Sequence, residues 1–529
     1  MPFVLTALAS PAPVVRLVNA FDHPLDNAVA TARTCYSPRI VEAAEVAATE
    51  RARALRDRIA AETYAAGHHT TLQHACFQFT LERVSRQLVW SLLHAHPFYN
   101  SEQVSQRYVP VAPENLTVPA LPPAAEALFR GAAQRAMAAY ERLTALLVEP
   151  AAEAWFALFP ARRGEREKHL PAIRKKAMEA ARYVLPVATH THLYHSVSGL
   201  TLHRYARIAR QCDVPVEARQ VVEAMVAAVA ARDPEFFRNL GDPLPSEETP
   251  EFALFVALGL TREVGAPEEA LAFARAFDGS LDGRAARLID WKVNAESTLA
   301  DAVRHILGLT RAALGDEAAI EAVLSPRKNP LLAMPLRLWT LDKLTRALSH
   351  PHYTFRKKLS HSADSQDQRH RMAPGSRPWL ARQYAAGHPD FVTPALIEQA
   401  PEARELFERE LRALFTAIDR LLEGDVPAEA ALYLLPNAFP VRFEESGELL
   451  HLAHKWTTRL CLTAQEEIWR ATRDEVEAVR AVHPTLARWI GPPCRLRAEA
   501  GGTPFCPEGP RFCGVRAWRT ALGSCERVL

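Results

Sequence analysis

Apolar positions recur every three to four residues over 125–147, 174–185, 214–232, 402–422 and 464–482, the spacing that collects them on one face of a helix. Strand-like runs are fewer and shorter: 14–19, 76–80, 287–293 and 336–340. This balance predicts an α+β, helix-rich fold with small sheets rather than a doubly wound one. Breaks bearing proline and glycine at 233–250, 278–283 and 326–335 mark candidate linkers.

The order of segments repeats along the chain. Val15-Arg16-Leu17-Val18-Asn19 is matched by Ala286-Arg287-Leu288-Ile289-Asp290, and the stretch from Phe77 to Arg86 by that from Leu336 to Arg346. Further on, Ser105-Gln106-Arg107-Tyr108 is set against Asp367-Gln368-Arg369-His370, and Ala181-Arg182-Tyr183-Val184-Leu185-Pro186 against Ala431-Leu432-Tyr433-Leu434-Leu435-Pro436. Four weak matches in the same order point to an internal duplication. The expected domains are 1–240, 280–482 and a cysteine-bearing extension, 483–529.

Composition narrows the class of function. A chain of 529 residues, 48% hydrophobic and 23% charged, is too long for one core and too apolar for disorder. Its formal charge of +2 leaves any basic pocket a local feature. Residues 1–19 lack a basic leader with an apolar core, and charged residues interrupt the long apolar stretches, so a cytoplasmic protein without a membrane span is expected. No Gly-x-Ser-x-Gly elbow, Walker loop or Gly-x-Gly-x-x-Gly fingerprint anchors a hydrolase, P-loop or Rossmann reading.

Candidate chemistry gathers between Gly67 and Tyr108. Ser105, Gln106 and Arg107 offer hydroxyl, amide and guanidinium donors within three residues, a set able to hold a phosphate but more often found in a solvated loop or cap. The order Gly67-His68-His69-Thr70, then Ser85-Arg86, a basic triplet, Ser105-Gln106-Arg107-Tyr108 and Ala181-Arg182-Tyr183-Val184-Leu185-Pro186 resembles the flavin-dependent thymidylate synthases. The resemblance covers Val14 to about Met225, and a patchier second copy runs from Ala286 to about Val476. It implies two tandem copies of the flavin-dependent thymidylate synthase fold.

The family signature is Arg-His-Arg, a short spacer, then Ser, and both copies depart from it. Counting forward from Ser85, the first triplet falls on His94-Ala95-His96, equally readable as helix-end histidines; the second is placed at Arg356-Lys357-Lys358. Arginine offers a planar, permanently charged fork that a histidine near neutral pH does not replace. The second copy keeps the segment from Pro436 to Ala464-Gln465-Glu466-Glu467-Ile468, with His454 and Arg459 in register, while the first keeps Arg182 where the second has Leu432.

The resemblance implies FAD as cofactor, methylenetetrahydrofolate and NADPH as cosubstrates, dUMP as methyl acceptor, and no protein nucleophile. It further implies nucleotide contacts at Ser105, Gln106, Arg107, Arg182, Arg369 and Arg459. Flavin contacts are implied at Thr70, Gln73, His94, His96, Asn100, Arg356, Lys357, Lys358 and His454. The fused copies would pair as a homodimer standing in for the family's homotetramer. Modification of another nucleotide or of nucleic acid, and a non-catalytic nucleotide-binding paralogue, remain open beside this reading.

Four of the eight cysteines, Cys494, Cys506, Cys513 and Cys525, fall in the last 36 residues, among prolines and glycines with little apolar periodicity. A segment unable to build its own core often uses a metal, so a structural zinc or iron–sulfur cluster is expected there.

Overall fold

A computed structural model describes residues 7–96, 98–209, 214–238, 248–260, 263–334, 342–521 and 527–529. The chain forms two compact units. The first comprises 1–135, 186–266 and 413–435, and the second 136–185, 267–412 and 436–529. Each unit therefore contains a segment from the other half of the sequence. Among the described residues, no helix is long and apolar enough to cross a membrane.

The first unit holds a four-stranded antiparallel sheet, β1 (Val14–Ala20), β2 (Cys76–Ser85), β3 (Tyr99–Gln103) and β4 (His190–Ser198), in the order β1-β2-β4-β3. On one face, Phe77, Phe79 and Leu81 alternate inward and pack with Leu88, Leu92, Val221 and Met225 of the helices Arg86–Ala95 and Val216–Arg232. The second unit repeats the order with β5 (Ala286–Trp291), β6 (His352–Ser360), β7 (Gly375–Ser376) and β8 (Pro440–Glu448), as β5-β6-β8-β7. Its core joins Tyr353 and Phe355 to Leu299, Trp456, Trp469 and Val476.

Register fixes which residues correspond. Val15 lies opposite Leu81 and Ala286 opposite Lys357, and both ladders shift by one residue just afterwards, at Leu17/Asn19 and Leu288/Asp290. The sequence match of Val15 with Ala286 holds. That of Phe77 with Leu336 does not, because the strand paired with β5 is His352–Ser360; the expected strand at 336–340 lies wholly within 335–341, outside the described residues. Arg356, Lys357 and Lys358 are consequently strand residues rather than a triplet at a helix end. The helix after β2 corresponds to His361–Asp367, and both start from a serine N-cap: Ser85 accepts from Leu88 N and Ser360 from Ala363 N.

Candidate functional site

In the first unit, Arg86 opens the helix Arg86–Ala95, and its guanidinium donates to the Val104 carbonyl at 2.8 Å, holding the loop after β3 against the helix start. Between this loop and the strands β1, β2 and β4 lies a cavity of about 860 Å³. Its polar lining includes Arg16, Arg83, Arg86, Ser105, Gln106 and His190. Arg16 is paired with Glu82. Arg83 has φ 55, at the point where the β2–β4 register shifts between Leu81 and Val84, and its Nε donates to the Ala12 carbonyl. Burial, helped by Arg83, pushes the His190 imidazole down to about 4, so the positive charge here comes from the arginines. Glu82 and Glu102 line the cavity as well, so its cationic part is the side formed by Arg83 and Arg86.

Ser105 Oγ accepts from the Arg107 backbone N–H at 3.3 Å, Gln106 donates its amide to Thr189 at 3.0 Å, and the Arg107 guanidinium lies 5.5 Å from the centre of the Tyr108 ring. The other expected residues of this half are placed apart from the cavity lining. Thr70 and Gln73 are exposed on the turn His69–His74, and Asn100 is exposed on β3. His94 packs edge-on against Trp90, while His96 is 7% exposed, accepts from Phe98 N and lies 3.1 Å from an Arg204 guanidinium nitrogen. Burial, then Arg204, pushes His96 down to about 4.

Glu217 joins the two halves of the sequence inside this unit. It accepts from the Ser85 backbone N–H and hydroxyl at 2.7 and 2.5 Å, and from the Tyr433 hydroxyl at 2.9 Å. Beside it, Val187 and Ala188 donate backbone N–H groups to Leu435 and Tyr433. The second unit carries the same arrangement. Glu467 accepts from the Ser360 N–H and hydroxyl at 2.5 and 2.6 Å and from the Tyr183 hydroxyl at 2.5 Å, while Asn437 and Ala438 donate to Leu185 and Tyr183. Arg182, 4% exposed, precedes Tyr183 here, and its carbonyl accepts from Asn437 Nδ2.

The strand residues of the second unit are occupied by ion pairs. Arg356 binds Glu444 at 2.6 Å and Lys358 binds Asp278 at 2.7 Å. Lys357 is 1% exposed and meets Asp367, Glu445 and Glu475 at 2.6 to 2.7 Å, with Lys455 bridging the first two. Each of the three side chains therefore has a carboxylate partner within the second unit.

Counting from the matched serines, His94 stands nine residues after Ser85 and Arg369 nine after Ser360. The residues at the end of the second helix are therefore Arg369-His370-Arg371. Arg369 is exposed, and His370 and Arg371 are half-buried. The His370 ring lies 5.9 Å from that of His454, and Arg459 donates to the Gln366 carbonyl at 2.6 Å. Burial and then Arg459 hold the His370 imidazole well below its usual range.

Residues 16–235 and 287–485 both match the family described as thymidylate synthase complementing protein. The chain belongs to that family. A flavin-dependent thymidylate synthase from Geobacter sulfurreducens is 32% identical over 174 residues, covering 32% of this chain and 71% of the relative. One from Sulfurisphaera tokodaii is 30% identical over 167 residues, 30% of this chain and 63% of the relative. Among solved structures, the Helicobacter pylori flavin dependent thymidylate synthase ThyX complexed with FAD and dUMP shares 15% identity at a TM-score of 0.30, over 43% of this chain and 99% of that one.

Membership of the thymidylate synthase complementing protein family brings out what the sequence reading passed over. Arg369-His370-Arg371 is the family triplet letter for letter, and it stands at the position the register assigns to it. Matching Arg369 to Arg107 had hidden it. Gly375 lies opposite Glu445 as Ser101 lies opposite His195, so four residues on, Ser105 corresponds to Trp379 rather than to Asp367. The signal that finds the triplet is the serine N-cap followed by the helix, counted forward without a gap.

The cysteines divide on the boundary of description. Cys494, Cys506 and Cys513 are half-buried, and Cys525 lies outside the described residues. Among the described residues, no group of three His, Cys, Asp or Glu side chains is arranged to hold a metal ion.

Proposed function

We propose that the chain is a flavin-dependent thymidylate synthase built from two tandem copies of one fold, methylating dUMP with methylenetetrahydrofolate and NADPH as cosubstrates. The observation that carries this reading is the triplet Arg369-His370-Arg371 at the end of the helix that Ser360 caps, in a family member matched over both halves. The halves have kept different parts of the motif set. The second retains the triplet, with His454 and Arg459 close by, whereas the first retains Ser105, Gln106, Arg107 and Arg182.

The residues present fit an anionic cofactor. Arg369 is exposed and Arg371 half-buried, and guanidinium groups pair well with a pyrophosphate. FAD, when bound, supplies the electron transfer and one-carbon relay that side chains do not. In this reading Arg369, His370 and Arg371, with His454, hold it, and neutral His370 donates or accepts a hydrogen bond without adding charge. Arg83, Arg86 and Ser105 orient the nucleotide phosphate in the cavity of the first unit. The working form is a homodimer, and the site lies in the cytoplasm.

The test is an absorbance spectrum of the purified protein, a dUMP titration of its flavin bands, and a turnover assay with methylenetetrahydrofolate and NADPH. Bound flavin perturbed by dUMP, with dTMP formed, is the expected result. Flavin indifferent to dUMP would move the reading to another nucleotide or nucleic acid; absence of flavin after added FAD would leave a non-catalytic paralogue.

A further inference from the structure

The two sheets correspond residue by residue through their registers. Arg16 on β1 lies opposite Thr80 on β2, as Arg287 on β5 lies opposite Arg356 on β6. Thr80 in turn lies opposite Tyr194 on β4, and Arg356 opposite Glu444 on β8. Arg16, Thr80 and Tyr194 all line the cavity of the first unit, so Arg287, Arg356 and Glu444 mark the same place in the second.

The strands differ near the helix start. β6 runs against β8 without a break, whereas β2 carries one extra residue: Glu82 and Arg83 together face His192 alone, between the pairs Leu81–Leu193 and Val84–Thr191. The φ of 55 at Arg83 belongs to this bulge. In the second unit Lys358, opposite Arg442, is the single residue in the corresponding position. Lys358 and Arg442 are thus the counterparts of cavity residues too.

In the second unit this place is filled. The helix Pro267–Leu281, which precedes β5, packs on β6. Its Ser280 accepts from Arg287 through the carbonyl at 2.5 Å and from Arg356 through the hydroxyl at 2.9 Å, and the Phe277 ring centre lies 5.2 Å from the Arg356 guanidinium. The Asp278 carboxylate takes both prongs of the Arg442 fork at 2.8 Å and the Lys358 ammonium at 2.7 Å. Arg442 is 3% exposed, with Asp390 as its other carboxylate at 2.7 Å. Among the described residues, none ahead of β1 lines the cavity of the first unit.

A two-pronged arginine and a lysine converging on one oxyanion is a common way to hold a free carboxylate or phosphate. Covering a sheet face by packing alone calls for apolar residues, which Phe277 and Leu281 supply. Asp278 does something else: it neutralises two cations that the covered face would otherwise leave in need of an anion.

We propose that Lys358 and Arg442 form an anion site, the counterpart of the cationic side of the first cavity, and that the Asp278 carboxylate is its resident occupant. Each chain then has one cleft open to a phosphate-bearing ligand and one closed by its own helix. The identity of that ligand as a nucleotide rests on the function proposed above; occupancy of the second site by Asp278 does not.

The test has two arms, both on the full chain. In the first, thermal midpoints of the wild type, Asp278→Ala and the double variant Asp278→Ala/Arg442→Gln are compared in sodium phosphate and in sodium chloride of equal ionic strength. A phosphate shift at least about 2 °C larger for Asp278→Ala than for the wild type, absent from the double variant, is expected. Equal shifts in the wild type and Asp278→Ala overturn the site, as does a shift that survives loss of Arg442. The second arm is calorimetric titration of the wild type with dUMP, expected to give one site per chain. Two sites per chain overturn the closure whether or not any variant folds. Absence of dUMP binding would end the nucleotide reading and leave the phosphate arm to decide this one.

Discussion

The Glu217 carboxylate takes both the backbone N–H and the hydroxyl of Ser85, at 2.7 and 2.5 Å, and so clamps the junction where β2 becomes a helix. Glu467 does the same for Ser360. A carboxylate buried this deeply is held by hydrogen bonds alone in the first unit, and that has a measurable signature in pH.

Burial pushes the Glu217 carboxyl up to about 7 from 4.5, against the opposing hydrogen bonds from Ser85 and Tyr433. The folded state therefore holds the proton more tightly than the unfolded one. Its contribution to stability is greatest below the unfolded value and declines as pH rises to about 7, by on the order of 3 kcal/mol. Thermal midpoints of wild type and Glu217→Gln should converge, or cross in favour of the variant, from about pH 5 to about pH 8. A difference that stays flat across this range would remove the assignment.

Ser85→Ala takes away an N-cap and leaves one Glu217 oxygen with less to accept. A loss of about 1 to 3 kcal/mol is expected, measured by chemical denaturation, with Ser360→Ala behaving alike.

Lys357→Met should be costlier. Two lysines face three carboxylates in a site at most 1% exposed, and removing Lys357 leaves Glu475 without the cation 2.7 Å away. Breaking a buried pair from one side costs about 3 to 5 kcal/mol. Retention of the wild-type melting temperature would show that these groups are not ionised together.

Arg369→Ala and Arg371→Ala each remove a guanidinium from the proposed flavin site. Loss of about 1.5 to 3 kcal/mol per charged hydrogen bond corresponds to FAD affinity weakened about ten- to a hundredfold. Fluorescence titration with FAD measures this, and His94→Ala serves as the comparison expected to change little.

Arg86→Ala should weaken dUMP binding at least about tenfold, through loss of a phosphate partner and release of the Val104 loop. Calorimetric titration that finds unchanged affinity would take the nucleotide out of this cavity.

The outer repeats are legible in sequence because their apolar pattern survives. Val15 and Ala286 stand near the start of strands that break register at the same point, and Tyr183 and Tyr433 sit in near-identical Leu-Pro segments. The inner strands β4, β6 and β8 are hidden by buried polar side chains. On β8 the inward positions include Glu445, on β6 Lys357 and on β4 His195, so a search for alternating apolar residues passes over all three. Arg356, Lys357 and Lys358 read as a basic triplet for the same reason, because their ion-pair partners Glu444, Glu445 and Asp278 lie far along the chain.

Tyr433 closes the Ser85–Glu217 clamp, and Tyr183 closes that of Ser360 and Glu467. Each half of the chain thus carries the latch for the other's door. A chain cut near its middle would leave each clamp without its tyrosine donor until the two pieces met again, so the connection between the halves is itself a source of stability for both.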